Sequence, residues 1–154
     1  MNAPSAPAAT TTDAAPPGGY VPPERLLRVA EESAATARRE VTRALARWGL
    51  PQLAPDAEVV VSELVANAVA HVRTLGPVRD RRIGLTVRRV PEGVLVEVHD
   101  AGSQPPPRPA PEDFPDLAEG GRGLLIVGAL TEGVWGTSPR PHGAGKVVWA
   151  LLTP

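Results

Sequence analysis

The 154-residue sequence predicts an α/β fold, a two-layer sandwich with helices on one face of a mixed or antiparallel sheet. Three observations predict it. Strand and helix patterns follow one another in the order β-α-α-β-β-loop-α-β-β. Two of the strands are joined by a turn of hairpin length. One helix pattern is apolar almost all round, as befits a helix covered on most sides.

Each element has its own justification. Residues 26–30 read as a short strand. Ser33 is a candidate N-cap for a helix to about Trp48, ended by Gly49 and Pro51, with Ala37, Val41, Ala44, Leu45 and Trp48 recurring at spacings of three and four. A second helix is expected after Pro55, with Asp56 as its cap, running to about Val72. Its apolar residues (Val59, Val60, Val61, Leu64, Val65, Ala66, Ala68, Val69) leave little polar face. Strands are expected at 83–90 and 94–100, turning at Pro91-Glu92-Gly93. Gly121-Arg122-Gly123 leads into a short helix at 124–130. Residues 134–137 are a possible strand, and 146–152 close the chain as a strand with alternating faces.

Proline divides the chain. Six of the 19 prolines fall in residues 1–23, amid Ala, Thr and Gly with few large apolar side chains. Such a segment buries too little surface to offset its ordering entropy, so 1–23 is expected to be a disordered tail and 24–154 the folded domain. Six more (Pro105, Pro106, Pro107, Pro109, Pro111, Pro115) lie in the span 103–120, which is longer than ordinary connections and therefore a candidate functional loop.

Composition narrows the function. Sixteen basic and 17 acidic residues give a net charge of -1, so no bulk electrostatic argument favours direct binding to nucleic acid or to an anionic membrane. With no Cys there is no disulfide, thiolate zinc site or thiol nucleophile, and His71, His99 and His142 are too scattered for a metal cluster. A metal is expected only with a ligand. The absence of a membrane-length apolar run and of a signal-peptide pattern points to the cytoplasm. Arg79, Arg81, Arg82, Arg88 and Arg89 read as the solvated edge of a hairpin, and Trp48, Trp135 and Trp149 as packing residues.

Three places carry chemistry. Glu63 and Asn67 interrupt an otherwise apolar helix, and four residues at about 100° each place them one turn apart on the same side, with His71 a turn further on. An amide oxygen is a hard ligand for a divalent cation, and a carboxylate can accept a proton from an attacking hydroxyl. The alternative is an exposed polar stripe. Asp100-Ala101-Gly102 ends a strand, where the acid can accept a hydrogen bond from an amino group and Gly admits a planar ring; a plain turn would look the same. Gly120-Gly121-Arg122-Gly123 before a helix offers backbone amides, a helix N-terminus and a guanidinium to a phosphate, or is simply a glycine-rich lead into the helix.

Order and spacing together resemble the GHKL ATP-binding group with its Bergerat-type sandwich, and in particular the stand-alone anti-sigma-factor serine kinases and their actinomycete relatives. Val61-Ser62-Glu63-Leu64-Val65-Ala66-Asn67-Ala68-Val69-Ala70-His71 is similar to that family's N box. Asp100-Ala101-Gly102-Ser103 resembles its G1 box, Gly121-Arg122-Gly123-Leu124 its G2 box, and Gly145-Lys146-Val147-Val148-Trp149-Ala150 its last strand. The resemblance spans about residues 24–153. It implies ATP and Mg²⁺ as ligands, Glu63 as catalytic base and Asn67 as the Mg²⁺ ligand. Asp100 would take the adenine amino group and Gly102 would lie against the base. Gly121, Arg122, Gly123 and Leu124 would form the phosphate side, and 103–120 the ATP lid. It further implies a serine/threonine kinase acting on an anti-anti-sigma protein and sequestering a sigma factor, usually as a homodimer. The chain departs from the family pattern at Gln104, where D-x-G-x-G has its second Gly, in the proline-rich lid, and at Lys146 and Val147, where the family has a Thr pair. These departures leave open an alternative: a catalytically weak or inactive nucleotide-binding module that acts by protein contact. A histidine autokinase is disfavoured, since no helix with a phospho-acceptor His stands apart from the N-box helix.

Overall fold

The computed structural model describes residues 12–13, 15–23, 25–28, 32–72, 82–100, 120–140 and 145–154. Their elements are strands β1 (Thr12–Asp13) and β2 (Arg25–Arg28), helices α1 (Ser33–Arg47) and α2 (Ala54–Val72), and strands β3 (Arg82–Val90) and β4 (Gly93–Asp100). Helix α3 (Gly120–Leu130) and strands β5 (Trp135–Pro139) and β6 (Lys146–Leu152) follow. The sheet runs β1-β5-β6-β4-β3-β2. Every neighbouring pair is antiparallel except β1 with β5, so the sheet is mixed, and the helices pack on one face as the patterning predicts.

Helix α1 buries the stripe Ala37, Val41, Ala44 and Leu45 and ends where Gly49 takes a φ of 70°, letting Leu50 N–H reach back to Leu45 O at 2.9 Å. Its start differs from the sequence expectation. Glu32 is the N-cap, without a side-chain cap hydrogen bond, and Ser33 is already the first helical residue, buried. Helix α2 also starts earlier than expected. A single 3₁₀ turn at Pro51–Leu53, pinned by buried Leu53, runs straight into Ala54, so Asp56 lies in the first turn instead of capping it, with its carboxylate near the orphan amides. Arg38 on α1 donates to Ser62 Oγ on α2 at 3.0 Å, and Thr42 Oγ1 donates to Glu58 Oε1 at 3.1 Å. These bonds fix α2 along its own axis, one residue from Glu63.

Between sheet and helices, Val94, Val96 and Val98 of β4, with Val148, Ala150 and Leu152 of β6, meet Val60, Val61, Leu64, Val65 and Ala68 of α2. The hairpin of β3 and β4 pairs Val90 with Gly93, where a Cβ would strike Leu152 O. Gly93 is therefore a packing requirement of the β4–β6 contact.

The other face of the sheet is buried too, which the alternation expected for residues 146–152 does not anticipate: β4 and β6 are buried at every position. Residues 15–23, expected as part of a disordered tail, lie on this face in the described structure. They connect β1 at one edge of the sheet to β2 at the other. Arg88 NH2 donates to Gly19 O at 2.8 Å and to Pro17 O at 3.1 Å, the Tyr20 ring meets His99 edge-on at 5.6 Å, and Pro23 sits on Gly84, where any Cβ would collide with it. Residues 1–11 lie outside the described residues.

Arg88 on this face departs from the sequence expectation. Instead of facing solvent, its guanidinium grips the fully buried Glu97 through Nε at 3.1 Å and NH2 at 3.2 Å. Arg89 is exposed as expected, and Arg79 and Arg81 lie outside the described residues.

His99 is 2% exposed, and neither ring nitrogen has a hydrogen-bond partner among the described residues. Burial, then the positive charges of Arg140 and Arg88, lowers its pKa to about 4. The neutral imidazole is therefore the native form. Because the folded-state pKa lies below the unfolded value near 6.5, the unfolded chain binds the extra proton between the two. The stability associated with neutral His99 is complete above pH 6.5 and is lost as pH falls through 4, by roughly 3 kcal/mol in all. Urea unfolding between pH 7 and 4 is expected to show this decline, and His99→Phe is expected to flatten it. An unchanged slope in the variant would assign the decline to other groups.

Candidate functional site

Glu63 and Asn67 are both half-buried on α2, one turn apart, as their spacing predicts. The residue facing Glu63 is a glycine. Helix α3 packs on α2, and a Cβ built on Gly123 would collide with Glu63 Oε2. Gly123 lies in the first turn of α3, where backbone amides lack intrahelical partners and the helix carries partial positive charge. The Glu63 carboxylate thus rests against a helix N-terminal turn, where anions are favoured, and only a residue without a side chain allows the approach.

The glycine-rich segment forms this turn itself and does not precede it, since the helix begins at Gly120. Gly121 and Arg122 belong to its backbone; the Arg122 side chain lies outside the described residues, as does that of His71. Leu124 packs against the edge of the core. Gly102, Gln104 and the proline-rich span up to residue 119 also lie outside the described residues.

Asp100 ends β4 on the helix-facing side of the sheet, 1% exposed. Its cross-strand neighbour on β6 is Lys146, 4% exposed, with Nζ 3.3 Å from Asp100 Oδ2. Both ions are out of water, where a charge is tolerated only with a partner. Sequence reasoning marked Lys146 as a departure from the family's Thr without finding its partner. The signal lay in the register of β4 against β6, which the alternation of apolar residues alone does not specify.

Among the described residues no group of three or more His, Cys, Asp or Glu could hold a metal by itself. The oxygen donors at hand, the Asn67 amide and the Glu63 carboxylate, instead suit a hard cation that arrives already bound to phosphate oxygens. An anion-favouring helix turn, a carboxylate against it, an amide one turn away and a buried acid–ammonium pair on the helix-facing side of the sheet together make a candidate site, in an α/β sandwich, for a polar ligand.

Comparison with known proteins is specific on this point. Residues 27–151 match the family model of the histidine kinase-like ATPase domain, and the chain belongs to that family. The family is one of ATP-binding domains, and the α/β fold is consistent with it. No curated protein matches the chain. No helix among the described residues is long and apolar enough to cross a membrane.

Proposed function

We propose that this protein is a cytoplasmic Mg-ATP-dependent serine/threonine kinase of the anti-sigma-factor type, which phosphorylates an anti-anti-sigma protein and sequesters a sigma factor, as a homodimer. The observation that carries the proposal is the contact of Glu63 with Gly123, which brings a carboxylate to the helix turn where the terminal phosphates would lie.

In this reading Asp100 accepts a hydrogen bond from the adenine amino group, Gly102 lies against the base, and the first turn of α3 with Arg122 holds the phosphates. Asn67 would hold the Mg²⁺ that arrives with the nucleotide, and that cation would supply neutralisation of the phosphate charge. Glu63 accepts the proton of the acceptor hydroxyl as its oxygen bonds to the γ-phosphorus; the bond from that phosphorus to the β–γ bridging oxygen breaks, and ADP leaves. Such transfer depends on positioning and charge neutralisation more than on covalent chemistry by the protein, so this small set of groups suffices.

The test is transfer of radiolabelled phosphate from ATP to an anti-anti-sigma domain encoded beside this protein. Wild type is expected to label it, and Glu63→Ala to do so about 10²–10⁴ times more slowly while still binding Mg-ATP by calorimetry. Equal labelling by the two proteins would remove Glu63 from its role. The replacement of the second G1 glycine by Gln104 and the six lid prolines favour a second reading, in which the domain binds nucleotide and acts by protein contact alone. Mg-ATP binding by wild type without labelling of any co-encoded candidate would select it.

A further inference from the structure

Among the described residues, Lys146 and Asp100 form a buried charged pair on the helix-facing side of the sheet that the proposed phosphate chemistry does not use. Asp100 is the partner of Lys146 Nζ among the described residues, at 3.3 Å, and an ammonium carries three N–H donors. A lysine held out of water on the helix-facing side of the sheet, beside a carboxylate, presents a hydrogen-bond donor and an acceptor next to each other. On the Watson–Crick edge of adenine the amino group and ring nitrogen N1 stand side by side as donor and acceptor, the complement of this pair.

We propose that Lys146 is a base-recognition residue, donating to adenine N1 while Asp100 accepts from the amino group. This rests on the ATP-binding reading above and adds to it a second side chain and a stated atom of the base. Without nucleotide the two side chains pair with one another; with the base bound each keeps that charged neighbour and gains a polar contact. A threonine hydroxyl at position 146 could not supply the same charge-assisted bond at the length of a lysine side chain. The arrangement also sets a preference. Guanine presents N–H at N1 and a carbonyl where adenine has its amino group, so a carboxylate placed for the adenine amino group would meet an oxygen.

The experiment is calorimetric binding to the wild-type full chain with Mg²⁺ and each of four nucleotides: ATP, 1-deaza-ATP (C–H in place of N1), purine riboside triphosphate (no amino group) and GTP. ATP is expected to bind, and 1-deaza-ATP to bind roughly 10- to 100-fold more weakly, the loss typical of one hydrogen bond to a charged group. In Lys146→Met, ATP and 1-deaza-ATP are expected to bind within about threefold of each other, because side chain and ligand atom then report the same missing bond. Equal affinity of wild type for ATP and 1-deaza-ATP overturns the role of Lys146, and so does GTP binding as tightly as ATP. A weaker purine riboside complex together with unchanged 1-deaza-ATP binding would leave the ATP-binding reading and Asp100 standing while removing Lys146. Absence of ATP binding would overturn both. The decisive comparison is made on the wild-type protein, so it does not depend on whether Lys146→Met folds.

Discussion

Gly123→Ala is expected to leave the domain folded, at unchanged or slightly higher stability, while ATP turnover falls about 10²–10⁴-fold, as far as in Glu63→Ala. The two effects have opposite signs because they arise from different atoms. In the helix backbone, Ala is favoured over Gly by up to about 1 kcal/mol. The added methyl, however, falls on Glu63 Oε2, the far end of a side chain that can rotate away at little cost to the fold. What moves is the carboxylate itself. The α2–α3 packing survives, and the proposed base no longer sits where the acceptor proton must go. A small shift at a reacting group is enough to cost orders of magnitude in rate. Thermal unfolding and turnover on the same preparation check this pair of expectations. A variant with wild-type turnover would show that Glu63 does not act from the position seen here; a large fall in melting temperature would show instead that the contact is structural.

The second large effect is on stability. Arg88→Ala is expected to destabilise the fold by roughly 3–5 kcal/mol, because it takes the guanidinium away from the Glu97 carboxylate, wholly buried on the outer sheet face. For a chain of this size that is a fall in melting temperature of about 10 °C. It also removes the guanidinium donor to Pro17 O and Gly19 O, so the segment crossing the sheet loses its polar anchor. The paired variant Arg88→Met/Glu97→Leu separates the causes. If the loss in Arg88→Ala comes from breaking the buried ion pair, the double variant is expected to recover most of it, since apolar side chains of similar volume can replace a buried ion pair at little cost. If stability stays low in the double variant, the bonds to the crossing segment are the larger part.

Much of the architecture was legible in the residues. The stripe of α1 and the almost fully apolar α2 follow from spacing alone, and strands β3, β4 and β6 lie within a residue or so of the expected positions. The placement of Glu63 and Asn67 on one side of α2 was legible for the same reason: a helix has a fixed angular step, so a separation of four residues is a statement about direction. Helix starts were less legible. Ser33 and Asp56 are good capping residues by type, but the core's claim on Ser33 and Leu53 moved both helix starts upstream, and packing outweighs a cap contribution of about 1 kcal/mol. Residues 15–23 are a different case. Their composition lacks a core of its own, yet Tyr20, Pro23 and the carbonyls of Pro17 and Gly19 find partners on a sheet surface that the segment's own pattern does not describe.

Local periodicity therefore decided which residues form helices and strands and which polar groups of the N-box helix share a face, because those properties depend on neighbours three or four positions away along one chain segment. Tertiary structure decided the rest: that Gly123 abuts Glu63, that Lys146 meets Asp100, and that Arg88 meets Glu97 beneath residues 15–23. Each of these pairings joins different elements, and its partner is chosen by strand register or helix packing. A side chain's charge and size say that it needs a partner when buried; only the assembled layers say which one it has.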